Sequence, residues 1–324
     1  MVGAIGHDGG VRIDYDEFGL FHENAAEYDL PDTGPPVVRR TAVEVESGRS
    51  VSALQWGRGE PELVLVHGGA QNAHTWDTVA LALDRPLVAV DLPGHGHSDW
   101  RDDGAYDPVT LADDLVEALL TLAPIPPLLV GMSLGGLTSM VLAARNPELV
   151  RSLVMVDITP GVNRQKAKAV IDFVSGPQNF ASFDDLLART MEHNPTRSES
   201  SLRRGILHNA HQLDDGSWEW RYDRRGHART SEAAGDGDGV DERPDVAATP
   251  DVAATASPLW EDFSALECDV LLVQGGTSPV VDDDDIAEAR RRQPDLDHVV
   301  VDGAGHSVQG DRPVELAEIL RQRL

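Results

Sequence analysis

Apolar residues fall into two rhythms along this chain. Short unbroken runs, "LVLVH" (63–67), "LVAVD" (87–91), "LLVG" (128–131), "LVMVD" (153–157), "VLLVQ" (270–274) and "HVVV" (298–301), read as strands covered on both faces. Ahead of them, "TAVEVE" (41–46) and "VSALQW" (51–56) predict a two-stranded hairpin. Between the runs the period lengthens. "VTLADDLVEALLTL" (109–122) has apolar residues at 111, 115, 116, 119, 120 and 122, one face of a helix. Helices are also expected over 137–146, 284–293 and 313–324, the last opening on a proline suited to a first helical turn. A hairpin followed by repeated strand–helix units implies an α/β fold: a mostly parallel sheet with helices on both faces.

The rhythm breaks between Thr159 and Pro258. Helices are expected over 182–193 and 199–213, followed by a stretch rich in Gly, Asp, Ala and Pro in which "PDVAAT" occurs twice, at 244–249 and 250–255. Such a stretch buries too little apolar surface to offset its ordering entropy. Residues 231–257 are therefore read as a flexible acidic loop, with a regulatory arm as the other reading. The expected layout is an N-terminal extension over 1–37, partly ordered at best, and a core over 38–159 and 259–324. A mainly helical cap is inserted over 160–258.

Composition narrows the function classes without naming one. A formal charge of −28 repels nucleic acid and anionic membrane surfaces, so neither is an expected partner. Lysine occurs only at Lys166 and Lys168, a pattern of coding bias or salt adaptation. One cysteine, Cys268, excludes an intrachain disulfide and a cysteine-based zinc site, and fits a reducing compartment. The first residues lack a basic-then-apolar leader and no run approaches 18 apolar residues, so a cytoplasmic protein is expected. No cofactor or metal is expected. His208 and His211, three apart on an expected cap helix, have no third ligand nearby in the sequence.

The strongest chemical signal is "LLVGMSLGG" (128–136): a buried strand, then Gly131-Met132-Ser133-Leu134-Gly135, then a helix. This G-x-S-x-G turn, between strand and helix, holds a serine on a strained backbone with its hydroxyl clear of the sheet. It makes Ser133 the candidate nucleophile and aims the Leu134 amide at a developing oxyanion.

With this turn the chain resembles the α/β-hydrolase fold family over most of residues 38–324. "LVLVHGGAQNAHTW" (63–76) is similar to the family's strand and His-Gly oxyanion loop. The resemblance implies a second oxyanion amide from Gly69, or from Ala70 instead, with His67 fixing the loop. "VDLPGHGHSD" (90–99) matches the turn that shapes the sheet edge and absorbs His95 and His97. "VVVDGAGHSVQGDRPVELAEIL" (299–320) places the base at His306, after the last strand.

The family most often carries its acid in the turn after the penultimate strand. Here that turn is "QGGTSPVV" (274–281), with Ser278 where a carboxylate is expected. Asp157, at the end of "LVMVD", neighbours the nucleophile strand in this topology and is the leading candidate for a relocated acid. Asp282 in "DDDD" is the rival, although that run also reads as a helix cap, and Asp302 is a third possibility. Ser278 is then a turn residue or a helper near His306.

Together these residues imply a serine hydrolase cleaving an ester, lactone or similar acyl bond of a small to medium apolar molecule through an acyl-enzyme. Trp76, Met132 and Ala70 are expected to line the pocket, with Phe173, Phe180, Trp218 and Trp220 in the cap above. Cofactor-free oxygenase or perhydrolase chemistry, and a non-catalytic receptor keeping a hydrolase pocket, are the rival readings. The sequence does not give the oligomeric state.

Overall fold

The structure is a computed structural model, which describes residues 13, 15–31, 33–45, 48–224 and 257–324. The acidic loop expected over 231–257, apart from Ser257, and its "PDVAAT" repeat lie outside the described residues, as do residues 1–12.

Each of the six unbroken apolar runs forms a strand within one residue of its expected bounds, while the first hairpin strand starts three residues before its expected position. β1 (Val38–Glu44) and β2 (Ser50–Trp56) make the hairpin, and β3 (Leu63–Val66), β4 (Leu87–Val90), β5 (Leu128–Met132) and β6 (Ser152–Val156) follow. The eight-stranded sheet has the order β1-β2-β4-β3-β5-β6-β10-β11, with β10 at Asp269–Gly275 and β11 at Asp297–Val301. Only the pairings β1–β2 and β2–β4 are antiparallel.

Helices cover both faces because every central strand is apolar on both. On one face pack α3 (Pro108–Leu122), α4 (Leu134–Arg145), α8 (Leu259–Ser264) and α9 (Asp283–Arg292), and on the other α1 (Phe21–Glu27), α2 (Asp77–Leu83) and α11 (Pro313–Arg321). The caps follow from sequence. Asp107 accepts from the amides of Val109 and Thr110 ahead of Pro108, and Asp282 forms a reciprocal capping box with Asp285. The chain passes from β4 across β3 to β5, so the order reverses between β3 and β5. Their carboxyl ends therefore open the crevice where open α/β sheets place ligands.

Between β6 and α8 the chain forms α5 (Lys168–Val174), β7 (Asn179–Phe180), α6 (Phe183–His193), α7 (Glu199–Asn209), β8 (Ala210–Gln212) and β9 (Trp218–Trp220). The expectation of a mainly helical insert misses the antiparallel sheet β7-β9-β8. The helical reading of 199–213 runs too far: β8 starts directly after α7, and extended backbone at Ala210 ends the helix. Leu186, Ile206, Trp218, Trp220 and Tyr222 form a separate apolar cluster that takes in Ala70 from the main sheet's loops.

Within the N-terminal stretch, residues 15–31 pack against the elements of the main sheet. Phe21 packs against Trp56 with ring centroids 4.9 Å apart and planes tilted by 56°, and Asn24 donates to Thr78 Oγ1 at 3.0 Å. Ahead of α1, Glu17 pairs with Arg40 and with His74. Among the described residues no helix is long and apolar enough to cross a membrane.

Candidate active site

β5 runs into α4 through Ser133, whose backbone has φ 52° and ψ −121°. That conformation is costly for a residue with a side chain, and the fold holds it by close packing on both sides. A Cβ on Gly135 would stand 2.3 Å from the His67 carbonyl oxygen, and one on Gly131 would stand 2.3 Å from the Gly135 oxygen. Only hydrogen fits at either place, which is the physical content of the two glycines in the motif.

His306 lies in the loop between β11 and α10 (Val308–Asp311). Its Nε2 is 3.0 Å from Ser133 Oγ, and its Nδ1 is 2.8 Å from Asp157 Oδ2. Asp157 follows β6 directly, is fully buried, and has φ 51°. Its amide donates to the Val273 carbonyl at 2.7 Å, tying the end of β6 to β10.

The turn that lacks a carboxylate holds the one beside it. The Gly275 amide donates to Asp157 Oδ1 at 2.8 Å, and the Ser278 hydroxyl donates to Oδ2. Ser278 Oγ itself accepts from the Val280 amide at 3.2 Å, which fixes its rotamer. A Cβ on Gly275 would meet the Gly305 carbonyl oxygen at 2.2 Å, so the turn lies flush against the His306 loop. The Ser278 hydroxyl therefore bonds Asp157 rather than His306. Neither rival acid reaches the imidazole. Asp282 caps α9 and pairs with Lys166 Nζ at 2.8 Å, and the Asp302 carbonyl accepts from Arg312.

Two backbone amides of this region, those of Leu134 and Gly69, have no hydrogen-bond partner among the described residues. Leu134 is the first residue of α4 and has no intrahelical partner for its N–H. In the loop after β3, the Gly68 amide is taken by Gln71 Oε1 at 3.1 Å, whereas the Gly69 amide makes no hydrogen bond among the described residues. Ala70 bends the loop with φ 59°. His67 accepts from the Leu92 amide at Nε2 (2.9 Å), so its Nδ1–H donates to the Gly68 carbonyl (2.7 Å). Burial holds its pKa down, so it sits neutral as a brace for the loop.

Trp76 and Met132 are buried in the core layer with Leu65, Val79 and Val130. A Cβ on Gly68 would stand 2.5 Å from Met132 Sδ and 3.2 Å from Ser133 Cβ, so the thioether lies against the loop that carries Gly69. Ala70 lines a cavity between the inserted segment and the loops of the main sheet, as do Phe173 and Trp220.

His208 does not pair with His211. It stacks on His74 with centroids 3.8 Å apart and planes 8° from parallel, beside Asp77. His74, Asp77 and His208 are a group whose ligand atoms lie within 4.8 Å of one another. In stacked rings the in-plane lone pairs run parallel instead of converging on one ion. The group is instead arranged as an ion pair: His74 Nδ1 is 2.9 Å from Asp77 Oδ2, and its Nε2 is 3.1 Å from Glu17 Oε1. Burial opposes the charge on His74, but the two carboxylates outweigh it and push its pKa up to about 9. Burial and the neighbouring His74 cation hold His208 well below the usual imidazole range.

This pair makes stability depend on pH. His74 has an ordinary pKa of 6.5 and a folded value near 9, so its contribution is complete below the first and is lost as pH rises through the second. The shift corresponds to about 3 kcal/mol. Urea unfolding of wild type and His74→Gln is expected to show a stability gap that narrows by roughly that amount between about pH 6 and pH 10. A gap constant across that range would remove the ion pair.

Comparison with known proteins follows the same lines. A family profile described as alpha/beta hydrolase fold matches residues 61–313. The esterase Rv0045c of Mycobacterium tuberculosis is 42% identical over 313 residues, spanning 94% of this chain and 95% of its own. Its crystal structure superposes with a TM-score of 0.77 at 40% identity, covering 97% of this chain and 99% of that one. The 2-(acetamidomethylene)succinate hydrolase of Mesorhizobium japonicum is 30% identical, covering 83% of this chain and 90% of its own.

Proposed function

This chain belongs to the α/β-hydrolase family and is an esterase-like hydrolase, and on that premise we propose that it is a serine esterase working through an acyl-enzyme. The observation that carries the reading is the unbroken hydrogen-bonded chain from Ser133 Oγ through His306 to Asp157. His306 Nε2 takes the serine proton as Oγ attacks the ester carbonyl, and the Leu134 and Gly69 amides receive the oxyanion. The imidazolium then protonates the departing alcohol. A water molecule, activated by the same nitrogen, releases the acid and restores the serine. Asp157 holds the Nδ1–H tautomer and stabilises the imidazolium throughout.

The inserted segment, described over residues 160–224, is proposed to act as a cap above the strand ends, with Phe173 and Trp220 among its apolar residues. Small soluble esters fit this arrangement. The test is active-site labelling with a fluorophosphonate, beside turnover of p-nitrophenyl esters from acetate to octanoate. Wild type is expected to label stoichiometrically and to turn over the shorter esters. A wild-type protein that neither labels nor cleaves any of the series would sink the esterase reading.

A further inference from the structure

The inserted segment and the loops of the main sheet border an open cavity of about 130 Å³ with mixed polar and apolar walls. It extends from Ala70 and Gln71, beside Gly69, past Gln309 and Gly310 of α10, to α7. Two arginines and two histidines line it: His74 and His208 both lie beside Asp77, and Arg204 has Glu27. Arg197 has no such acid. Its Nη2 donates to Ser201 Oγ at 2.6 Å, and no carboxylate of the described residues comes within ion-pair distance. The nearby Asp311 is engaged elsewhere, by the Thr196 hydroxyl at 3.2 Å and the Gly305 amide at 2.7 Å.

The Nε atoms of both Arg197 and Arg204 are buried without a hydrogen-bond partner. Arg197 is half-buried, so its charge is partly withdrawn from water with no counter-charge in contact, and a ligand that supplies one is favourable there. A planar Nε–Nη edge fits a carboxylate in bidentate fashion. Unpartnered acceptors in the same walls, Asn24 Oδ1, Gln309 Oε1 and Asp77 Oδ1, disfavour a phosphate dianion, which would bring more charge and more acceptors against them.

We propose that Arg197, supported by Ser201 and the Nε of Arg204, forms a carboxylate-binding subsite in this cavity. Its ligand is a small organic acid, either free or as the far carboxylate of an acidic ester. The second source rests on the esterase reading, and the first does not.

Two measurements separate these cases. In thermal melts, saturating adipate is expected to raise the Tm of wild type by about 2–4 °C and to leave Arg197→Gln unmoved. In proton-release assays, monomethyl adipate is expected to exceed methyl hexanoate in kcat/KM by ten- to a hundredfold, on the order of one charge-assisted pair. Arg197→Gln should abolish that preference while methyl hexanoate turnover stays unchanged. An Arg197-dependent adipate shift with no half-ester advantage identifies a free acid as the ligand and supports the subsite. Adipate binding or half-ester preference that survives in Arg197→Gln overturns it, as does a wild type showing neither. Wild type that cleaves no ester removes the esterase reading, and the adipate arm still decides the subsite. If Arg197→Gln does not fold, Arg197→Lys takes its place, and a full adipate shift there overturns recognition by the guanidinium fork.

Discussion

Ser133→Ala is expected to lower kcat on a p-nitrophenyl ester by about 10⁶, the scale for deleting the nucleophile of a serine triad. The size of the effect follows from how little else the hydroxyl does. Ser133 Oγ bonds to His306 Nε2, and the strained backbone of the elbow is equally available to alanine. Stability should therefore stay within about 0.5 kcal/mol of wild type, as for changes that touch no packing or network. Labelling by the fluorophosphonate should vanish in the same variant. Adding His306→Ala should cost almost nothing further, because the two residues act as one unit. A drop smaller than a hundredfold, or labelling that persists, would mean that another group attacks the ester.

The parts of this protein legible in the sequence are those in which a local rule and the fold agree. A strand covered on both faces must be apolar throughout, and five of the six apolar runs form such strands, whereas "HVVV" forms the sheet edge with Val299 and Val300 exposed. The elbow was legible because its two glycines answer to backbone contacts 2.3 Å away, which no other residue satisfies. Asp157 was legible only through topology, since nothing in "LVMVD" distinguishes a catalytic aspartate from a turn cap. What remained hidden depends on contacts distant in sequence. α1 buries only Phe21 and Asn24, too few to show a period. The three-residue strands β8 and β9 gain definition only by pairing, β9 lying between β7 and β8. Glu17 reaches His74 across 57 residues, and Arg197 reads as an ordinary surface arginine until the sheet and the inserted segment close around it.

Asp157→Asn is expected to lower kcat by about 10⁴, because an amide facing Nδ1 leaves the imidazole in the wrong tautomer and unable to stabilise its cation. Asp282→Asn should stay within twofold in activity, losing only part of a helix cap and a contact with Lys166. The turn at Ser278 allows a sharper test than either single change. Ser278 donates to the same Asp157 oxygen that accepts from His306, so a carboxylate introduced there would stand one hydrogen bond from the imidazole. Ser278→Asp in the Asp157→Asn background is therefore expected to recover ten- to a hundredfold, returning the acid to the turn the family more often uses. Ser278→Asp alone should impair the enzyme, since two buried carboxylates sharing one donor raise one of their pKa values and remove a charge the mechanism needs. Thermal melts of all four variants separate these effects from unfolding. Near-normal activity in Asp157→Asn, with collapse in Asp282→Asn, would move the acid to α9. Rescue confined to the double variant would mean that the site requires a charge beside Nδ1 and tolerates either strand end as its source.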